Sequence, residues 1–304
     1  MLPMLGIARL ADRGPSLAAS VAAALQLGGL LSFPFIGAFM VVPITLSAAV
    51  VAFVVLRRGE GAALRVGGLC LVILVTVSLI MLRSALAIPV AALLSWLPAI
   101  AAAIVLRRTS SLAISLLVLS VIGVASVLLL AVVTGDPEAF WRDEISRMMN
   151  VLVEQGGLQL DPGQLEPATA TMAFWMTGMA GLSLFITAFA ALFTARHWQA
   201  SLVNPGGFRS EFHALSLGKP AALVAIASIV LATVLGGAVS TGIAMVVGAA
   251  FVLQGLAVVH ALIARRGLSG FWLFGVYALL VIPQTWLLLA ALGLIDNQIV
   301  LRRS

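Results

Sequence analysis

Long uncharged apolar stretches, divided only by short basic clusters, leave this chain very little choice of fold. A hydrocarbon core about 30 Å thick takes roughly 20 apolar residues in helical form. Stretches of that order occupy 16–33, 37–56, 62–82, 86–106, 110–133, 170–194, 220–237, 240–263 and 270–294. With 62% hydrophobic residues and a mean hydropathy of +1.18, a soluble chain of 304 residues could not hide them all. The expected fold is all-α: a polytopic transmembrane helical bundle of about nine segments, eight to nine, forming one transmembrane domain over 1–304. A first helical group spans 1–133, an extracytoplasmic segment 134–169 and a second helical group 170–304.

The formal charge of +6 has its source in topology. Arg57-Arg58, Arg107-Arg108, Arg265-Arg266 and Arg302-Arg303 sit at the ends of apolar stretches, where positive-inside placement puts them. A lipid bilayer is therefore the expected partner, and nucleic acid is not. With Arg9 and Arg13 inside, the N-terminus is cytoplasmic, in a bacterial cytoplasmic (inner) membrane. Nine crossings would then put Arg302-Arg303 outside, against the rule. The alternative is eight crossings with a re-entrant first segment. Ser32-Phe33-Pro34, Arg83-Ser84 and Gly236-Gly237 divide neighbouring segments, and Ser240 is placed to start the helix after the last of these. Cys70 is the only cysteine and reads as a small buried apolar residue. Trp198 and Trp272 fall where headgroup anchors would be useful.

Seven of the eleven acids lie between Asp136 and Glu166. Asp136 is a good N-cap, Pro137 suits a first turn, and Gly156-Gly157 supplies a stop. Trp141, Ile145, Met148, Met149 and Leu152 share one face, which predicts an amphipathic outer helix over about 137–155. Leu158 to Pro167 reads as an irregular polar loop.

Ionisable groups at membrane depth are functional markers, and the predicted spans hold no deep Asp, Glu or Lys. Gln26, Gln254 and Gln284 are the bulky polar candidates, together with His260 near a helix end. An amide left unpaired in lipid costs several kcal/mol, so each glutamine should meet either a ligand or another helix. Pro43, Pro89, Pro98 and Pro283 break ladder bonds inside predicted helices. The pair Pro283-Gln284 sets a freed carbonyl beside a polar side chain. Gly178, Gly181, Gly242, Gly248 and Gly255 permit close helix approach. No metal-ligand cluster, cofactor motif or nucleophile–base set is present in the pattern, so no cofactor is expected and the chain reads as no enzyme.

The run from Pro205 to Pro220 is the most distinctive local sequence. Phe208, Phe212 and Leu215 share a face, whereas Arg209, Glu211 and His213 are polar candidates for contact with a cytoplasmic partner or for gating. Gly207-Phe208-Arg209-x-Glu211-Phe212-x-Ala214-Leu215, then Leu217-Gly218-Lys219, resembles the signature of the YybS-like family of bacterial membrane proteins. Gln254 to His260, Ala264 to Gly267 and Leu294-Ile295-Asp296-Asn297 resemble its later segments. Ser216 stands where that pattern has a basic residue. The family is similar in helical arrangement to the substrate-capturing components of energy-coupling-factor vitamin transporters. That resemblance implies a small hydrophilic or vitamin-like ligand, and binding or transport as the function. The other reading is a non-catalytic structural or assembly factor acting through a membrane protein partner. A polar cavity collecting Gln26, Gln254 and Gln284 would favour the first.

Overall fold

The computed structural model describes residues 2–31, 37–83, 86–154 and 162–299. Among these, all regular structure is helical. The elements are α1 (Leu2–Arg13), α2 (Pro15–Leu31), α3 (Gly37–Arg58), α4 (Glu60–Leu82), α5 (Ala87–Thr109), α6 (Leu112–Thr134), α7 (Pro137–Glu154), α8 (Pro162–Val203), α9 (Gly207–His213), α10 (Gly218–Leu235), α11 (Ala238–Arg265), α12 (Phe271–Leu279) and α13 (Pro283–Ile299). Seven of the described helices are long and apolar enough to cross a membrane, or eight if the bent pair α12–α13 makes one span. The chain is thus the expected all-α, multi-pass helical protein.

Its apolar residues face outward as well as inward. On α4, Leu64, Val72 and Ile80 are 77%, 66% and 70% exposed, and α10 presents Leu223, Val234 and Leu235 in the same way. Such surfaces are excluded from a water-soluble monomer, but in hydrocarbon they cost nothing.

The chain divides into two compact units, and the boundary runs through α6 and α8. The first unit comprises residues 1–119 and 184–215. Its centre is α3, which is apolar on every side and buried continuously from Ser47 to Leu56. The Ser47 hydroxyl donates to the Ala22 carbonyl (2.7 Å) and accepts from the Trp96 indole N–H (3.1 Å), tying α2, α3 and α5 together. Trp198 packs edge-on against Phe53 and is buried, so it is a core residue and not the headgroup anchor that its neighbours suggest. The cause is the length of α8, which continues past Trp198 to Val203. Trp272 is exposed, as an anchor would be. Cys70 is fully buried.

The second unit comprises residues 120–183 and 216–304. Asp136 caps α7 as expected, its Oδ1 accepting the N–H groups of Glu138 and Ala139 at 3.0 Å each. Trp141 donates to Thr177 Oγ1 (3.0 Å), and Ile145 is buried. Met148, however, is 56% exposed, so the inner face is narrower than its spacing implied. Removing the cap in Asp136→Ala should cost about 1 kcal/mol of α7 stability. Amide exchange should rise in the first turn of α7 and leave α11 unchanged; equal protection in both proteins would contradict this.

Other expectations need correction. Residues 162–167 are the first turns of α8, not a loop, because Pro162 can open a helix at no hydrogen-bond cost. Pro89 lies in the first turn of α5 and Pro283 at the start of α13, where no ladder bond is lost; Pro43 and Pro98 are within helices. The stretch 270–294 is not one straight helix: α12 and α13 are bent by 114° at residues 280–282. Gly236 and Gly237 form the expected turn, both at positive φ (63° and 83°). α11 starts at Ala238, and Ser240 returns its hydroxyl to the Gly236 and Gly237 carbonyls. Of the glycines expected to permit close approach, Gly178 meets Gly242 backbone to backbone, while Gly248 has open space around it. Ser32-Phe33-Pro34, Ser84, Gly156-Gly157 and Arg302-Arg303 lie outside the described residues.

Candidate functional site

Gln254 is fully buried midway along α11. Its Nε2 donates to Asp296 Oδ2 (3.1 Å) and Asn297 Oδ1 (3.2 Å), and its Oε1 accepts the Leu217 N–H (3.0 Å). Asn297 Oδ1 also accepts from the Ser216 hydroxyl (2.9 Å) and the Gly218 N–H (3.1 Å). The N–H groups of Leu217 and Gly218 open α10 and have no helical acceptor, so side chains of α11 and α13 cap them across the seam. Asp296 is only 3% exposed. It was missed as a buried acid because it lies just beyond the apolar run that ends at residue 294. The signal was there: a mid-helix glutamine needs partners, and Asp296-Asn297 is the polar pair that follows the run.

Within the second unit, Gln254 is buried and Gln284 exposed, so these two do not share a site. Gln26 belongs to the first unit, where it is fully buried and both amide atoms lack a hydrogen-bond partner among the described residues. Pro283 and Gln284 are exposed on the first turn of α13. The carbonyls at this break are taken up locally: Leu279 accepts the Ile282 N–H (2.9 Å) and Leu280 accepts the Trp286 indole N–H (2.8 Å). His260 bonds the Tyr277 hydroxyl across α11 and α12 (3.0 Å).

A polar cavity does exist elsewhere, within the first unit. It measures about 310 Å³ and lies among the ends of α3, α5 and α8 and the short helix α9. Burial of Phe208 and Phe212 seats α9, as their shared face implied, and both rings pack edge-on against Phe193. This brings Glu211 to Arg196, whose Nε donates to Oε2 (2.9 Å) and whose Nη2 donates to Oε1. Arg196 Nη1 holds Gln199 Oε1 (3.1 Å), and Gln199 Nε2 reaches the Leu56 carbonyl (3.1 Å). From α5, Arg107 Nη1 donates to the Val55 and Leu56 carbonyls (3.0 and 2.9 Å). Ser110 and Asn204 complete the polar lining. Of the three residues proposed from the 205–220 run, Glu211 lines this cavity, Arg209 is exposed on α9 and His213 is half-buried. Arg107 was read only as a topology marker; nothing in its spacing, or in that of Arg196, shows that the helix ends converge.

No metal-holding group of three or more His, Cys, Asp or Glu exists among the described residues. Fold and lining together define a multi-pass helical membrane protein with a charged end cavity in its first unit. Comparison with protein-family models, with curated proteins and with solved structures finds no match for the chain.

Proposed function

We propose that this chain is a non-catalytic membrane component that binds a small polar molecule, as the receiving part of a transport system in a bacterial cytoplasmic membrane. The observation that carries the reading is the cavity of about 310 Å³ walled by Arg107, Arg196, Gln199, Asn204 and Glu211. A volume of that order, with a few placed polar groups, is typical of small-molecule sites. The resemblance of Gly207 to Leu215 to the YybS-like family supports it, since that family resembles substrate-capturing components.

The second reading, a structural or assembly factor, has its own support. Gln254 is spent on helix capping and Gln284 is exposed, so neither reserves a polar group for a ligand. Native mass spectrometry of protein extracted gently from its own membrane separates the two. Binding predicts a reproducible small-molecule adduct that disappears in Gln199→Ala and Asn204→Ala. An adduct indifferent to both changes would defeat the assignment to this cavity. A consistently ligand-free protein that retains a second membrane protein through Arg209 would establish the assembly role instead.

A further inference from the structure

We infer that the ligand of the Arg107–Arg196 cavity carries a phosphate group, taken either from an anionic lipid headgroup or from a free phosphate compound. The inference rests on the cavity being a binding site and adds the chemistry of its occupant.

The first argument is a count of donors. A guanidinium has five N–H donors and no acceptor. Arg107 spends both Nη1 hydrogens on the Val55 and Leu56 carbonyls, which fixes the plane of the fork and leaves Nε–H and Nη2 uncommitted. Gly59, having no side chain, lies against this guanidinium, and even an added Cβ would stand 3.5 Å from Cζ and Nη2. The Ser110 hydroxyl and the Asn204 amide add donors to the same lining. The one carboxylate present, Glu211, is engaged at both oxygens by Arg196. What the cavity offers is therefore donors in excess of acceptors, around a pre-oriented planar fork. Phosphate oxygens match such a fork in charge and in geometry.

The second argument is the charge around the site. The acids at this end of the first unit are Asp12, Glu60 and Glu211, and each is paired with an arginine: Arg57 (2.9 Å), Arg108 (2.7 Å) and Arg196. Arg58, Arg65, Arg107 and Arg209 have no carboxylate partner among the described residues. The C-terminal carbonyls that converge here would by themselves repel an anion. They are already bonded, Leu56 to Arg107 and Gln199, Leu106 to the Ser110 N–H and Ala200 to the Asn204 N–H. The site also lies at the ends of membrane-crossing helices, the level at which lipid phosphates sit, so both sources of phosphate have access.

The test uses the full-length protein in nanodiscs of phosphatidylcholine, with and without phosphatidylglycerol, titrated in each case with inorganic phosphate. Thermal unfolding and native mass spectrometry provide the readouts. Stabilisation by inorganic phosphate identifies the free source, and a retained phosphatidylglycerol identifies the lipid source. In either case Arg107→Gln should weaken the effect by about tenfold or more, consistent with losing a charge-assisted fork. Ser110→Ala should weaken it less, with no change of fold expected at that exposed position. Arg65→Gln, which removes an exposed arginine outside the cavity, should leave it unchanged. Equal loss in Arg65→Gln and Arg107→Gln would mean diffuse surface charge and would overturn the assignment. Absence of any response to phosphate or phosphatidylglycerol would overturn it too. If the protein then still carried a neutral or cationic molecule sensitive to Gln199→Ala, the binding reading would survive and only the phosphate assignment would fall.

Discussion

Gly255→Leu should part α13 from α11 and leave the second unit unfolded or loosely packed in detergent. The two helices touch backbone to backbone: a Cβ on Gly255 would fall on the Leu289 carbonyl, and one on Gly293 on the Phe251 carbonyl. No side chain can move aside to relieve such a clash, so the helix axes must separate. Even a single methyl inserted into a closed interior costs about 1–3 kcal/mol. Here the cost should exceed that range, because separation also breaks the bonds that Asp296 and Asn297 make to Gln254. Against a total stability of about 5–15 kcal/mol, the loss is large. Gly255→Ala already tests the idea against Gly248→Ala, where nothing lies within 4 Å of the new Cβ. The second change should be neutral or raise the melting temperature, since alanine is the better helix former. Indistinguishable melting of the two variants would refute the close-contact seam.

Gln254→Leu should be nearly as damaging, for a different reason. Leucine fills the space but removes the acceptor of the Leu217 N–H and a donor to the Asp296 carboxylate, both in a buried place. A buried group left without its partner costs about 1–3 kcal/mol, and more when it is charged. The loss should therefore be about 2–5 kcal/mol, visible in denaturant unfolding. The amides of Leu217 and Gly218 should exchange faster, since they depend on this network for acceptors. Gln284→Leu, on the exposed first turn of α13, should do neither. Slow exchange at Leu217 in the Gln254→Leu protein would show that the capping role belongs to another group.

How much of this was legible depended on whether the determining interaction was local. The Asp136 cap, the Gly236-Gly237 turn and the Phe208–Phe212 face are set by residues within one helical turn, and the sequence shows each of them. Pro283 signals a lost ladder bond next to 280–282 but not a bend of 114°, because apolar composition continues through the break and composition carries no direction. Trp198 was misplaced because the same arginine-flanked pattern marks a helix end or a helix that runs on for another turn. The seam around Gln254 joins residues 37 to 43 positions apart. The end cavity depends on where four helices finish in space. Neither has a period or a spacing by which a one-dimensional pattern could reveal it.

The bend between α12 and α13 also limits how far this stretch reaches in any one direction. Nine residues of α12 advance about 13 Å, and the 17 residues of α13 span about 25 Å, of which a turn of 114° gives back about 10 Å along the first axis. Measured along the α12 axis, the end of α13 therefore comes most of the way back toward the start of α12. A pair bent so far is a broken span or a re-entrant loop, two forms with the same hydropathy.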